Sequence, residues 1–396
     1  MASKEHDFSV GSIPRNIISL ALPMTAAQLI NVLYSVVDRI YLGRLPGHLA
    51  LTGLGLTLPI ISIVMGFANL CGMGGAPLCS IHRGKGENEE AERILGNSFT
   101  LLLLFGGGLT VFCLAFRRPI LYLFGASDLT FPYANDYLTI YLLGTLFVMI
   151  GLGMNPFINA QGFSRMGMMT VALGAAVNIV LDPIFIFALD MGVRGAALAT
   201  VVSQGISVLL CILYIVQKVP VLVPWREDWK LYAHETREQL RMGVPMALQF
   251  SITASGIMIA QAAINLFGST AAAAYTAASK VSMLLTQGCL SMGQTMATYA
   301  GQNFGKGDLG RIREGVKKGL RMMALYSLLA AVVLHYLLPF LTGFFFSGDV
   351  DAAALLPWAR TYGGHCHVVL PAPQHDLHLP ERHAGVGTPW RPPCAG

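Results

Sequence analysis

The chain has 396 residues, of which 54% are hydrophobic and 12% charged. Ordinary soluble domains carry about 25% charged residues, so this composition excludes a water-soluble enzyme or binding module and calls for lipid contact. The net charge of +5 is no nucleic-acid footprint, because the basic residues sit in short segments between apolar runs.

A membrane-crossing helix needs about 20 predominantly apolar residues. Nine stretches meet that need: 17–42, 51–71, 99–116, 138–159, 168–189, 196–216, 244–267, 272–296 and 320–341. The first follows a segment with Glu5 and Asp7 and has no small-residue cleavage site, so it reads as a span and not a leader. If the N-terminus is cytoplasmic, Lys and Arg gather on the inner segments, while the outer ones keep Arg44, Arg117, Arg118, Arg194 and Arg360. The expected location is the cell membrane, multi-pass.

The polar stretch 218–241 reads as a cytoplasmic linker. It would join an N-lobe, 1–217, of six spans to a partial C-lobe, 242–362, of three. Gly84-Lys85-Gly86 and Gly305-Lys306-Gly307 both follow the second span of their half and precede a new basic segment and span, at an offset of 221 residues. With an even number of spans per half, the repeats are parallel, an arrangement found in transporters that bind between two halves. The expected fold is an all-α polytopic membrane protein of two parallel-repeat lobes, with six transmembrane helices in the first and about three of an expected six in the second. Residues 363–396 hold five of the ten histidines and no apolar span. They read as an aberrant, disordered His/Pro-rich tail where a truncated or frame-shifted C-lobe ends. Cys71, Cys79, Cys113, Cys211 and Cys289 lie in or beside apolar runs without a CxxC pair, as buried free thiols do.

Charged groups inside a span cost about 2.5–3.5 kcal/mol each on insertion scales, which makes them functional candidates. Asp38, near the outer end of the first span, and Asp182, on the fifth, are expected at similar depth, with Thr200 on the sixth. Asn178 precedes Asp182 by one turn and shares its helix face. These oxygen-bearing side chains suit a proton shared by paired acids, or Na⁺. An interfacial ion pair of Asp38 with Arg39 or Arg44, and a cap by Asp182 at the break before Pro183, are the structural readings. Gln28, Asn31, Tyr34, Gln204, Gln249, Gln261, Asn265 and Lys280 are the remaining polar candidates, as a substrate cavity or as helix-to-helix bonds. No nucleophile–base constellation, phosphate loop or metal motif marks an enzyme.

The stretches LALPMTAAQLINVLYSVVDRIYLG, RGKGENEEAERILG, NAQGFSRMG, NIVLDPIFIF and GVRGAALATVVSQ together resemble the MATE (multidrug and toxic compound extrusion) family. The resemblance covers about Pro14 to Tyr362. It implies twelve helices in two six-helix lobes, and export of small organic, often cationic compounds in exchange for H⁺ or Na⁺. Members with an N-lobe cation site carry an Asp on the first helix, an Asn and an Asp four apart on the fifth, and a Thr on the sixth. Asp38, Asn178, Asp182 and Thr200 match that pattern. The resemblance implies a monomer with drug-like substrates, no cofactor beyond the coupling ion and no nucleic acid. Two alternatives stay open: a lipid-linked saccharide flippase of the same superfamily, with Lys280 as its basic cavity residue, and a non-transporting remnant.

Overall fold

The computed structural model describes residues 7–44, 49–218, 231–266 and 269–345. The side chains of some helical residues, Gln261, Asn265 and Lys280 among them, lie outside the described set, as does the whole His/Pro-rich stretch 363–396. The described chain is all helix: α1 Ile13–Gly43, α2 Leu49–Lys85, α3 Asn88–Ala115, α4 Arg117–Leu123, α5 Phe131–Leu143, α6 Thr145–Ala160, α7 Ser164–Pro183, α8 Gly192–Lys218, α9 Ala233–Asn265, α10 Ser269–Gly305 and α11 Leu309–Phe345.

Helices are the open-chain solution in lipid, where every backbone polar group must be satisfied within the segment. Among the described residues five helices are long and apolar enough to cross a membrane, and the pair α5–α6, bent by 57° after Leu143, makes a sixth. These six cover the first six expected spans, and the last three expected spans fall on α9, α10 and α11. Large apolar side chains such as Leu22, Val111, Leu123 and Val180 point outward, from 59% to 81% exposed, as a lipid-facing surface requires. Leu102, Met149 and Phe157 are fully buried where α2, α3 and α6 pack. The thiols of Cys71, Cys79, Cys113 and Cys211 are free and buried, and that of Cys289 is free and half-buried.

Element ends differ from the sequence expectation in two places. The α2 and α10 helices run on well past the expected spans, α2 as far as Lys85 and α10 as far as Gly305, and so reach into the Gly-Lys-Gly turn of each repeat. Apolar run length marks only the part in lipid, and the helix continues where polar side chains find partners. Thus Arg83 donates to the Gln161 carbonyl at 2.9 Å and to its side-chain oxygen. In addition, α9 begins at Ala233, inside the stretch read as linker. Gln239 on its second turn is 1% exposed. Its amide donates to the Ile94 carbonyl at 2.7 Å and to Ser98 at 2.6 Å, and it accepts from Asn97 at 2.7 Å. A buried amide satisfied on both ends fixes the start of α9 against α3.

The two repeats meet. Gly84 and Gly305, the equivalent glycines of the two Gly-Lys-Gly turns, press against each other. A Cβ on Gly305 would run into the Ile81 carbonyl and lie 2.8 Å from the Gly84 Cα. Ser80 and Gly301 meet in the same way, with a Cβ on Gly301 3.0 Å from that of Ser80. Contacts between equivalent residues at one offset are what an axis between two parallel repeats produces. Gly86 and Gly307 then end the two helices at φ +83° and +75°, a left-handed conformation that glycine adopts without steric cost.

The lobes are also strapped together at this end. Phe8 is 3% exposed and packs with Ile13, Ile17, Leu20 and Tyr299. Its N–H donates to Gln302 at 3.3 Å. Arg311, on α11, donates to the carbonyls of Phe8, Val10 and Gly11 at 3.1, 3.0 and 2.9 Å. Lys306 pairs with Asp7 at 2.6 Å. Burial pushes the Asp7 carboxyl up, but the hydrogen bonds from Lys306 and Ser9 outweigh it and hold the group below the usual carboxylate range.

Candidate functional site

The acids expected to act together converge from separate helices. Asp182 is 0% exposed and Asn178 2%, both on the face of α7 turned toward the bundle. The Asn178 amide donates to Asp182 Oδ1 at 3.3 Å, the one-turn spacing expected of i and i+4. Pro183 follows, and the helix widens to a π-helical turn, Ile184–Ala188. Proline supplies no N–H and crowds the preceding turn, so the ladder changes directly after the acid.

Asp38 reaches the same region from α1. It interacts electrostatically with Asp182, and Tyr34 feels both acids. Arg39 acts on Asp38 only at longer range, and Asp38 Oδ1 has no hydrogen-bond partner among the described residues. The interfacial ion pair with Arg39 or Arg44 is therefore not formed here. Asn31, Tyr34 and Asp38 recur at three- and four-residue spacing and share one face of α1. Gln204 of α8 lies within hydrogen-bonding reach of the Tyr34 hydroxyl.

Thr200 joins through α8. Its hydroxyl donates to the Ala196 carbonyl at 3.0 Å, and it also lies close to Tyr137. Tyr137 and Tyr141 of α5, 5% and 3% exposed, stack with ring centroids 6.2 Å apart. Tyr137 feels the charge of Asp38. These two tyrosines are site neighbours that sequence reasoning did not single out. The signal was present in the spacing of Tyr133, Tyr137 and Tyr141, but it straddles the start of an expected span.

Buried oxygens without a partner mark what the cluster lacks. Asp38 Oδ1, Asn178 Oδ1, Asp182 Oδ2 and the Tyr141 hydroxyl are all enclosed and unpaired. Polar atoms left so are unusual in proteins and ask for a ligand, an ion or water. The donor set of carboxylates, amide and hydroxyls is all oxygen, which suits a proton or a hard cation. Among the described residues no group of three or more His, Cys, Asp or Glu could hold a metal ion.

The remaining polar candidates are dispersed. Gln28 and Asn31 are half-buried on α1, nearer its N-terminus, and Gln249 is exposed on α9. Gln261, Asn265 and Lys280 are placed on α9 and α10 by the backbone, and their side chains lie outside the described residues.

This is a multi-pass helical membrane protein with two acids, the buried Asp182 and the half-buried Asp38, among the helices of its first lobe. The MatE family model matches residues 23–184 and 245–371, and the chain belongs to the MATE family. It is 27% identical over 315 residues to the probable multidrug resistance protein YpnP of Bacillus subtilis, across 78% of this chain and 69% of YpnP. It is 30% identical over 268 residues to the multidrug export protein MepA of Staphylococcus haemolyticus, across 68% of this chain and 59% of MepA. The chain thus spans less than two thirds of that relative. A solved MATE structure in complex with MaL6 shares the fold with a TM-score of 0.87, covering 93% of this chain and 82% of that one at 22% identity.

Proposed function

We propose that the chain is the membrane part of a secondary antiporter that exports small organic, often cationic compounds in exchange for H⁺ or Na⁺. The observation that carries this reading is the cluster of unpartnered oxygens around Asp38 and Asp182. Two carboxylates in a poorly screened interior repel one another unless a proton or cation sits between them. Loading the site draws α1 toward α7, and unloading lets the two helices part. Such an element turns ion occupancy into a change of shape, provided the ion and the substrate have different affinities for the two states.

The closure at the Gly84–Gly305 end supports one of the two states an alternating-access cycle requires. The orientation in this reading keeps the N-terminus and the basic turns in the cytoplasm, so the closed side faces inward. The protein acts as a monomer, with no cofactor beyond the coupling ion.

The test is ethidium uptake into inside-out vesicles that contain the full chain, with pH and Na⁺ gradients imposed separately. Uptake driven by one gradient should fall by roughly 5–150-fold in Asp38→Asn, the range of typical coupling free energies. Gradient-driven uptake unchanged by Asp38→Asn would sink the coupling assignment. Equal response to both gradients would leave the acids serving either ion.

A further inference from the structure

The basic end of the bundle holds a second feature, separate from the acid cluster. Between the first turns of α1 and α7 lies an open groove of about 550 Å³, lined by Ser12, Arg15, Ile18, Ser19, Leu22 and Arg165 among others. Its walls are fixed relative to each other, because Ser164 donates to the Ser19 carbonyl at 3.0 Å and pins the start of α7 to α1. Arg165 is therefore held beside Arg15 by the backbone that precedes it.

Both guanidinium groups are exposed, and no acid among the described residues engages either of them. Several other basic residues at this end have partners: Arg83 meets Gln161, Lys85 Glu87, Arg93 Glu90, Lys306 Asp7 and Lys318 Glu314. The groove also lies at two helix N-termini, each with partial positive charge. Below the arginines it turns apolar. Ile18 and Leu22 on α1 are 52% and 68% exposed, and Met169 and Leu173 on α7 continue the apolar wall at 56% and 44%.

We propose that this groove is a binding site for one anionic phospholipid. The phosphate and a second polar headgroup substituent sit between Arg15 and Arg165, and an acyl chain runs along Ile18 and Leu22. Arginine suits the headgroup because its planar fork meets phosphate oxygens in pairs. Basic pockets between membrane helices at the cytoplasmic face recognise lipid headgroups on the same grounds. The apolar floor selects a lipid over a soluble anion. The site lies on the outer wall of α1 and reaches Pro23, so its occupant touches the same helix that carries Asp38.

The test is native mass spectrometry of the full chain released from nanodiscs, with phosphatidylglycerol and phosphatidylcholine of identical acyl chains in competition. The wild type should retain one phosphatidylglycerol, at least tenfold in preference to phosphatidylcholine. That preference should collapse in R15Q/R165Q and, for the unaltered chain, at high salt. Glycerol 3-phosphate and inorganic phosphate at equal concentration should not displace the lipid. Equal retention of the two lipids, a preference that survives both the double substitution and salt, or displacement by phosphate alone would overturn the proposal. The salt arm decides the matter on the wild type if the double variant does not fold.

Discussion

Asp182 stands between an amide one turn behind it and a proline directly after it, with one carboxylate oxygen bonded and the other enclosed without a partner. A buried charge in that position is costly, and replacing such a group by a neutral one of the same shape is often neutral or stabilising. Asp182→Asn should therefore keep or raise the thermal unfolding midpoint in detergent while abolishing gradient-driven transport. A loss of stability as large as the loss of transport would make the residue a structural one. Asp38, Asn178 and Asp182 stand out in the sequence because a charge or amide inside an apolar run carries a cost that needs a reason, whereas Thr200 is drawn in only by its depth and by the family pattern. Tyr137 and Tyr141 were not, since a tyrosine within or beside a span is as much a packing residue as a polar one. Only the fold packs α5 against α8 and sets Tyr137 where it feels Asp38.

The helix contacts at the basic end make a sharper prediction than any single side chain. Gly305 and Gly307 are two residues apart, but they are glycine for different reasons. Gly305 has the Gly84 backbone against it, whereas Gly307 has open space and a positive φ. Gly307→Ala should cost about 1–2 kcal/mol for the left-handed backbone. Gly305→Ala must push two helices apart, and overpacking of this kind costs about 1–3 kcal/mol with a further signature. It should loosen the lobes at this end, which faster hydrogen exchange across Asp7–Gly11 would report, while Gly307→Ala leaves that segment alone. The Gly-Lys-Gly repeat was readable in the sequence as an offset, and so was the expectation of parallel halves. That the equivalent glycines touch was not, because a repeat gives the symmetry without the position of its axis. The strap from Asp7 to Gly11 left no mark at all. Its partners lie about 300 residues away, and none of its residues is unusual by itself.

At the scale of the molecule, the strap and the paired glycines together form a closure that the proposed transport cycle would have to undo. The closure is not where pH acts. The Asp7 carboxyl is held below the usual carboxylate range, so its contribution is complete above the unfolded value and is lost only as pH falls through the still lower folded one. Across the neutral range the Asp7–Lys306 pair is constant, and any pH dependence of opening must come from elsewhere. Ser80 reports the closure directly, since it is 0% exposed and faces Gly301. A cysteine there, in a background without other cysteines, should react slowly with an impermeant maleimide supplied from the basic end, and far more slowly than one placed at Lys85. Arg311→Gln removes charge-assisted bonds to three carbonyls, two of them exposed so that water takes the place of the guanidinium, and the net loss is that of one such bond, about 1.5–3 kcal/mol. Carrying an equilibrium from 1:99 to 99:1 takes about 5.5 kcal/mol, so this change should raise the open population without completing the switch. The Ser80→Cys labelling rate should then rise by roughly tenfold, the equivalent of about 1.4 kcal/mol, and rise further when the coupling gradient is reversed. If Ser80→Cys reacts as fast as Lys85→Cys in the unaltered background, the lobes are already apart at this end and the strap is not what holds them.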